Sequence, residues 1–307
     1  MSIFTPKIPD SLRGSTLCLT GFSGYVGSHL LRTLVAAGVR PFLIPRQSSD
    51  GVQVYGADCA TAWSHPGELA EQLAGLENPI IINLAGHFIS THQPVDVQPL
   101  VAGNLDFPIM IFDALVSSGH NRIVNVGTTW EYSDAGVPSP RNLYAQLKSA
   151  NAQVLEWYAA RNPLRAINLK LNDTYGGDDT RSKLLPLLKK NWLAKSTMQL
   201  RSWAQPINLL HITDVQEGLL AAAARTMEIE PHTAETALLI DNETTKLGEI
   251  VDRLRNGIAP GIGAEFSDTS TENPSLAGVW STGPQLTNWS PRISLGAGLN
   301  DYFKVDV

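Results

Sequence analysis

The sequence predicts an α/β protein: a doubly wound parallel sheet with helices on both faces, carrying a smaller, loop-rich C-terminal lobe. Three observations predict it. Short runs apolar on both faces alternate with stretches of helical periodicity over residues 16–171, the pattern of a parallel sheet covered on both sides. A glycine-rich turn, GFSGYVG, separates the first such run from the first helix. Beyond residue 171 the alternation loosens, and glycines, prolines and polar clusters thicken in YGGDDTRS and NGIAPGIGAEFSDTSTENPSLAG.

Taken in order, TLCLT (16–20) is a buried strand, and SHLLRTLVAAG after the turn repeats its apolar residues at helical spacing. VRPFLIPR reads as a second strand, PIIINLAG (79–86) and NRIVNVG (121–127) as two more, with a long helical segment around NLDFPIMIFDALVSSG between the last two. AQLKSANAQVLEWYAAR is an amphipathic helix followed by a strand at RAINLKLND. Residues 1–171 are expected to form the first domain, with 206–241 (INLLHI, then TDVQEGLLAAAAR) returning to it as strand and helix; 172–205 and 242–307 form the smaller lobe. The chain shows no internal repeat and no low-complexity tract.

Composition narrows the classes of function. A chain of 307 residues, 43% of them hydrophobic, can bury a full core. Its net charge of -6 comes without a long basic run, so nucleic acid is not an expected partner. PIIINLAG and INLLHI are far shorter than the roughly 20 residues of a membrane span, and MSIFTPKIPDSLRG lacks the basic start and apolar core of a secretory signal. Cys18 and Cys59 are too few for a disulfide framework and lack metal-ligand spacing. Cys18, inside TLCLT, reads as a buried small hydrophobe. A cytoplasmic protein without a metal is the expectation.

The glycine turn points to a Rossmann-type dinucleotide site. Gly21 allows the tight turn, Gly24 the close approach of a pyrophosphate, and Gly27 the packing of helix on strand; Ser23, Tyr25 and Val26 lie between them. The N-terminus of the following helix offers unpaired N–H groups and partial positive charge to the phosphates. Which dinucleotide follows from the end of the second strand, LIPRQSSD, where Arg46 stands and no carboxylate does. That arrangement favours the 2′-phosphate of NADP(H) over NAD(H); the other reading of Arg46 is a solvated surface charge. Asp58, after VQVYG, either meets the adenine or belongs to a surface turn.

RNLYAQLKSA (141–150) places Tyr144 and Lys148 four positions apart on one helix face. A phenol has an unperturbed pKa of about 10, and a nearby ammonium together with an oxidised nicotinamide would favour the phenolate. Tyr144 could then serve as general acid towards a ketone oxygen, with Lys148 also holding the nicotinamide ribose. In VNVGTTWEY, Thr128 and Thr129 are neighbours on a strand and point to opposite sides, so only one can face the nicotinamide.

The turn TGxxGxxG, NLAG at 83–86 and YxxxK at 144–148 together resemble the short-chain dehydrogenase/reductase superfamily. The length and the tail LTNWSPRISLGAGL resemble its extended branch, which handles nucleotide-activated sugars. The resemblance implies that Leu84, Ala85 and Gly86 border the cofactor, and that Thr128, four residues before Tyr132, is the catalytic threonine, joined by Tyr144 and Lys148. It implies a homodimer paired through helices around 103–118 and 145–161. Dehydratases of this branch carry an Asp–Glu pair after the catalytic threonine; Thr129 and Trp130 stand here, which argues against dehydration. NLYAQLKSANAQVLEWY and LKLNDTYGGDDTRSKLLPLL are similar to the CDP-abequose and CDP-paratose synthases, and with Arg46 they imply NADPH-dependent reduction of a 4-keto group on a nucleotide-linked deoxyhexose. The alternatives are an NAD-dependent nucleotide-sugar epimerase and a carbonyl reductase related to the dihydroflavonol enzymes.

Candidate substrate contacts are His87, directly after NLAG, and Thr129. Where the family places a substrate-binding asparagine this chain has Asp173. It either accepts from a sugar hydroxyl, or the diphosphate lies elsewhere and is met by Arg181 and Lys183, which could equally belong to a solvated loop. The family's phosphate-binding arginine, four residues before His211, is replaced by Ile207. His211 itself reads as a core histidine and Trp203 as surface packing.

Overall fold

A computed structural model describes residues 4–46, 56–272 and 277–304. Its strands and helices run β1 (Leu17–Thr20), α1 (Tyr25–Ala36), β2 (Phe42–Leu43), β3 (Asp58–Cys59), α2 (Pro66–Ala74), β4 (Ile80–Asn83), α3 (Val97–Val101), α4 (Phe107–Ser117), β5 (Arg122–Thr128), α5 (Leu143–Arg161), β6 (Arg165–Leu171), β7 (Asp173–Tyr175), α6 (Leu184–Leu193), β8 (Thr197–Ser202), β9 (Pro206–His211), α7 (Ile212–Arg225), β10 (Thr233–Leu239), β11 (Thr244–Lys246), α8 (Leu247–Arg253), β12 (Gly263–Asp268) and α9 (Leu295–Phe303). Seven strands form one sheet in the order β10-β6-β5-β4-β1-β2-β3, every neighbouring pair parallel. Strand order reverses between β1 and β4, with β2 and β3 added on one side and β4, β5 and β6 on the other; this is the switch point at which doubly wound sheets bind ligands.

Strand parity builds the two cores. Leu17, Leu19, Ile80, Ile82, Val124, Val126, Ile167 and Leu169 face α1 and α7, where Leu30, Leu34, Val215 and Leu219 complete a buried cluster. Cys18, Ile81, Ile123 and Ala166 point the other way, against Leu69, Leu73, Ile111, Phe112, Leu115 and Leu155 of α2, α4 and α5. Residues i and i+2 share a face of a strand, so runs such as TLCLT and PIIIN are apolar throughout because both faces are covered. Burial holds the Cys18 thiol well above its usual range.

The second strand is shorter than VRPFLIPR suggests. Only Phe42 and Leu43 pair, bracketed by Pro41 and Pro45, which cannot donate to a ladder. A larger difference concerns INLLHI. It lies in β9, which pairs with β7 in parallel and with β11 antiparallel in a separate three-stranded sheet. The return to the main sheet is made instead by α7 and by β10, which occupies the place beside β6 over seven residue pairs, Thr233↔Arg165 to Leu239↔Leu171. With that edge filled, β9 has no partner there, and β7, set off from β6 by Asn172, supplies one. The β8–β12 pair and α6, α8 and α9 close a smaller core around Tyr175, Leu188, Ile250, Leu254, Leu299 and Phe303.

Among the described residues, the helical run Pro94–Ser117 is long and apolar enough to cross a membrane by length and composition, and half of its most apolar window is buried. No unbroken apolar stretch in the sequence signals this, because Asn104 and Asp106 interrupt it. The run packs on α2 and α5. It is not one uniform helix: α3 passes into a π turn over Ala102–Asp106 before α4 begins, and such turns frequently mark functional sites.

Candidate active site

The cleft lies over the carboxyl ends of β1, β4, β5 and β6. It measures about 280 Å³ and is lined by the glycine turn on one side and by Thr128, Tyr144, Lys148, Asp173, Arg181 and Lys183 on the other. Gly21 has φ +61°, and a Cβ there would sit 2.6 Å from the Leu84 carbonyl carbon. A Cβ on Gly27 would lie 2.3 Å from the Gly21 oxygen. Both positions therefore require glycine, and the turn passes directly under β4. Gly24 caps α1 with no side-chain acceptor, which leaves the first N–H groups of a 12-residue helix facing the cleft. This cradle fits a dinucleotide pyrophosphate. Leu84 and Gly86 border it, with Val26 and Tyr25; Ala85 contributes its carbonyl to Lys148.

Tyr144 and Lys148 occupy the first turns of α5, started by Asn142, whose side chain accepts the Ala145 N–H at 2.9 Å. Lys148 Nζ donates to the carbonyls of Ala85 at 2.9 Å and Val126 at 3.0 Å, pinning the ammonium between the ends of β4 and β5. Burial brings its pKa down to about 8, opposed by the Glu131 carboxylate and reinforced by Lys170. The Tyr144 phenol is pushed upward, by burial first and then by the carboxylates of Glu131 and Asp173. The protein's own groups thus keep the proton on Tyr144: desolvation of a half-buried ring outweighs an ammonium already spent on two carbonyls, so that any lowering falls to the oxidised nicotinamide that the expectation paired with Lys148.

Thr128 ends β5 on the cleft, and its hydroxyl accepts the Trp130 N–H at 3.3 Å. Thr129 is 2% exposed and does not line the cleft; β5 ends at Thr128, and Thr129 opens a 3-10 turn over Thr129–Glu131 instead of continuing the strand. His87 does not line it either; its backbone is held by Asn104, whose Oδ1 accepts the His87 N–H and whose Nδ2 donates to the His87 carbonyl. Arg181 reaches the cleft already committed. It donates to Asp179 through Nε and Nη2, both at 2.8 Å, and to the Thr174 carbonyl, and stacks 3.6 Å over the Tyr25 ring. Lys183 is freer, 3.8 Å from Asp173.

Asp58 stands away from the cleft lining, in a bidentate pair with Arg40 at 2.7 and 2.8 Å. Arg46 is exposed beyond β2, with a guanidinium nitrogen 3.5 Å from where a Cβ on Gly103 would lie. QSSD, which follows Arg46, falls outside the described residues. Ser23 is exposed in the turn and does not line the cleft.

Several residues of the site carry no sequence signal. Asn104, in the π turn, is fully buried, and a Cβ on Gly86 would lie 3.2 Å from both its Oδ1 and Lys148 Nζ. Glu131 and Lys170 form an ion pair at 2.5 Å with 0% and 1% exposure, and Glu131 also accepts the Thr128 N–H at 2.8 Å. Phe88 and Trp130 line the cleft beside Tyr144. Among the described residues, no cluster of three or more His, Cys, Asp or Glu side chains could hold a metal ion.

A parallel sheet with a glycine turn at its switch point and a Tyr–Lys pair across the cleft defines an NAD(P)-dependent oxidoreductase of the extended short-chain dehydrogenase/reductase type. The chain belongs to the NAD dependent epimerase/dehydratase family, whose model matches residues 17–234. Among curated proteins it is similar to the CDP-abequose synthase of Yersinia pseudotuberculosis, 29% identical over 205 residues that cover 66% of this chain and 71% of that protein. The CDP-abequose synthase of Salmonella typhimurium is 20% identical over 300 residues, 93% and 96% of the two chains. Among solved structures, the UDP-glucuronic acid 4-epimerase of Bacillus cereus in complex with UDP-glucuronic acid and NAD superposes with a TM-score of 0.76 at 17% identity, over 94% of this chain and 98% of that one. That likeness is one of fold.

Proposed function

We propose that the protein reduces the 4-keto group of a nucleotide-linked deoxyhexose with NADPH. The observation that carries this reading is the convergence of Thr128, Tyr144 and Lys148 on one cleft with the glycine cradle, in a chain similar along nearly its whole length to a CDP-abequose synthase. Thr129 and Trp130 supply no acid–base pair for loss of water. Arg46, three residues beyond β2, supports the choice of NADPH.

The reduced nicotinamide, when bound, supplies the hydride. Gly21, Gly24 and Gly27 give the dinucleotide its backbone seat, and Lys148, fixed by two carbonyls, orients the ribose. Thr128 hydrogen-bonds the carbonyl oxygen, and Tyr144 delivers its phenolic proton to that oxygen as the carbon becomes tetrahedral. An upward-shifted phenol suits this direction: it holds its proton at neutral pH and gives it to a developing alkoxide, a stronger base than phenolate.

The test is loss of reduced-nicotinamide absorbance when the purified protein meets a CDP-linked 4-keto-6-deoxyhexose. No loss with any nucleotide-linked ketosugar would end the reading, and product formed without net cofactor consumption would indicate epimerisation. A second reading, a reductase of small carbonyl compounds without a diphosphate, draws on Ile207 at the phosphate-arginine position and on Arg181 being bound to Asp179. Turnover of an aromatic ketone in preference to the ketosugar would favour it. A homodimer joined through α4 and α5 belongs to the same proposal and is checked by light scattering.

A further inference from the structure

The substrate end of the cleft carries an aromatic wall that neither the glycine turn nor the catalytic residues explain. Phe88 lies edge-on to Tyr144 at 5.1 Å and edge-on to Trp130 at 5.7 Å. All three rings line the cleft, and Phe88 is 40% exposed, one of few large hydrophobic side chains left so open among the described residues. Lys183 Nζ sits 3.7 Å from the centre of the Phe88 ring and 5.6 Å from that of Trp130, and Arg141 stacks on Trp130 at 5.5 Å. Asp173 faces Lys183 at 3.8 Å.

An exposed phenylalanine beside the reacting centre contributes little to folding, and its position is defined by what it borders. A carbonyl oxygen that accepts from Tyr144 leaves its flanking carbon beside Phe88, the ring adjoining the phenol. That surface offers carbon and ring hydrogens, and neither Phe88 nor the Trp130 ring face can satisfy a hydroxyl. A hydroxyl pressed there loses water without gaining a partner, whereas a methyl or methylene loses nothing. Lys183 covers the ring through a cation–π contact and a loose pairing with Asp173, both of which an incoming ligand can exchange.

We infer that Phe88 and Trp130 determine specificity, selecting a ketosugar that carries methylene in place of the hydroxyl-bearing carbon next to the carbonyl, with Lys183 as a displaceable cover. This rests on the proposed nucleotide-sugar function and goes beyond it by assigning the choice of sugar to two side chains.

Calorimetric binding, which needs no turnover, tests it with a CDP-6-deoxyhexose and the same ligand lacking its 3-hydroxyl, the one on the carbon flanking C4, in the presence of NADP+. The protein is expected to prefer the deoxygenated ligand by roughly 10- to 200-fold, the range a hydrophobic pocket achieves for one such group. Phe88→Ala should bring the ratio close to one, and Phe88→Leu should restore part of it. Because Phe88 is exposed, both variants should fold, which thermal unfolding verifies. An unchanged ratio in Phe88→Ala overturns the inference while leaving the ketoreductase reading in place. Failure of the wild-type protein to bind either ligand overturns both.

Discussion

Acidification should loosen the first turn of α7 through a single histidine. His211 is fully buried, and its Nδ1 accepts the Thr213 N–H at 3.3 Å, capping the helix. With Nδ1 as acceptor, the neutral ring carries its hydrogen on Nε2, which has no hydrogen-bond partner. Tyr175 and Phe4 pack edge-on at 5.3 and 5.4 Å, and a Cβ on Gly176 would lie 2.5 Å from Nε2. Protonation would put a hydrogen on the capping lone pair and bury a charge among rings. Burial accordingly takes the pKa from 6.5 down to about 4, reinforced by His29 and opposed by Asp301.

The unfolded chain binds this proton near the ordinary value and the folded chain only near 4, so between them the unfolded state holds more protons. The stabilisation is complete above about pH 6.5 and is lost as pH falls towards 4. A gap of about 2.5 units at 1.36 kcal/mol each amounts to roughly 3 kcal/mol, of which about 2 kcal/mol should disappear between about pH 7 and about pH 4.5. Urea unfolding of the wild type and of His211→Asn measures it, since asparagine retains a capping oxygen and does not titrate. The carboxylates titrate alike in both proteins, so the difference between their slopes isolates His211. Equal slopes would refute the account.

Tyr144→Phe should lower turnover by about 10²- to 10⁴-fold while dinucleotide binding, read by fluorescence titration, stays within twofold of wild type. Glu131→Gln and Lys170→Met should each cost about 3–5 kcal/mol, because each strands a buried charge, whereas the double variant should cost far less than their sum; denaturant unfolding of all four proteins closes the cycle. Gly27→Ala should weaken dinucleotide binding at least about tenfold, since its Cβ would meet the Gly21 oxygen at 2.3 Å and the Phe22 Cα at 2.7 Å; equilibrium titration of the folded variant decides it.

The main sheet was legible because every strand pair in it is parallel and covered, which imposes continuous apolar runs, and because glycine alone satisfies the contacts at 21 and 27. Tyr144 and Lys148 were legible from helical spacing. What escaped depended on partners distant in sequence. Arg181 looks like a free cation until Asp179, fully desolvated on its side chain, claims it. Phe88 follows His87 in a polar-looking loop, and only the meeting of the β4 and β5 ends brings it to Trp130. The short β7 could not be distinguished from the end of β6, because what separates them is a single residue, Asn172.

The asparagines inside PIIIN, NRIVN and RAINL pose a problem for apolar strands, and their register resolves it. Thr20, Asn83, Asn125 and Asn168 are successive partners across β1, β4, β5 and β6. Thr20 Oγ1 donates to Asn83 at 2.6 Å, Asn83 to Asn125 at 2.9 Å, and Asn125 to both Asn151 at 2.6 Å and Asn168 at 3.0 Å. Asn151 continues to the Asn104 carbonyl in the π turn at 3.2 Å. Because Asn151 follows Lys148 by three residues and shares its helix face, this row ties the α5 face that carries the lysine to the sheet. Asn125→Leu keeps the size and removes the hub, leaving the Asn83 donor and the Asn151 and Asn168 acceptors unpaired at about 1–3 kcal/mol each, so a loss of at least roughly 3 kcal/mol is expected in urea unfolding. If the row also positions Lys148, the variant should lose kcat more than KM at a temperature where it is fully folded, since a ribose held off its line costs the reaction more than it costs binding. A full loss of stability with kcat unchanged would confine the row to the fold and leave the two carbonyls of Ala85 and Val126 to hold the lysine alone.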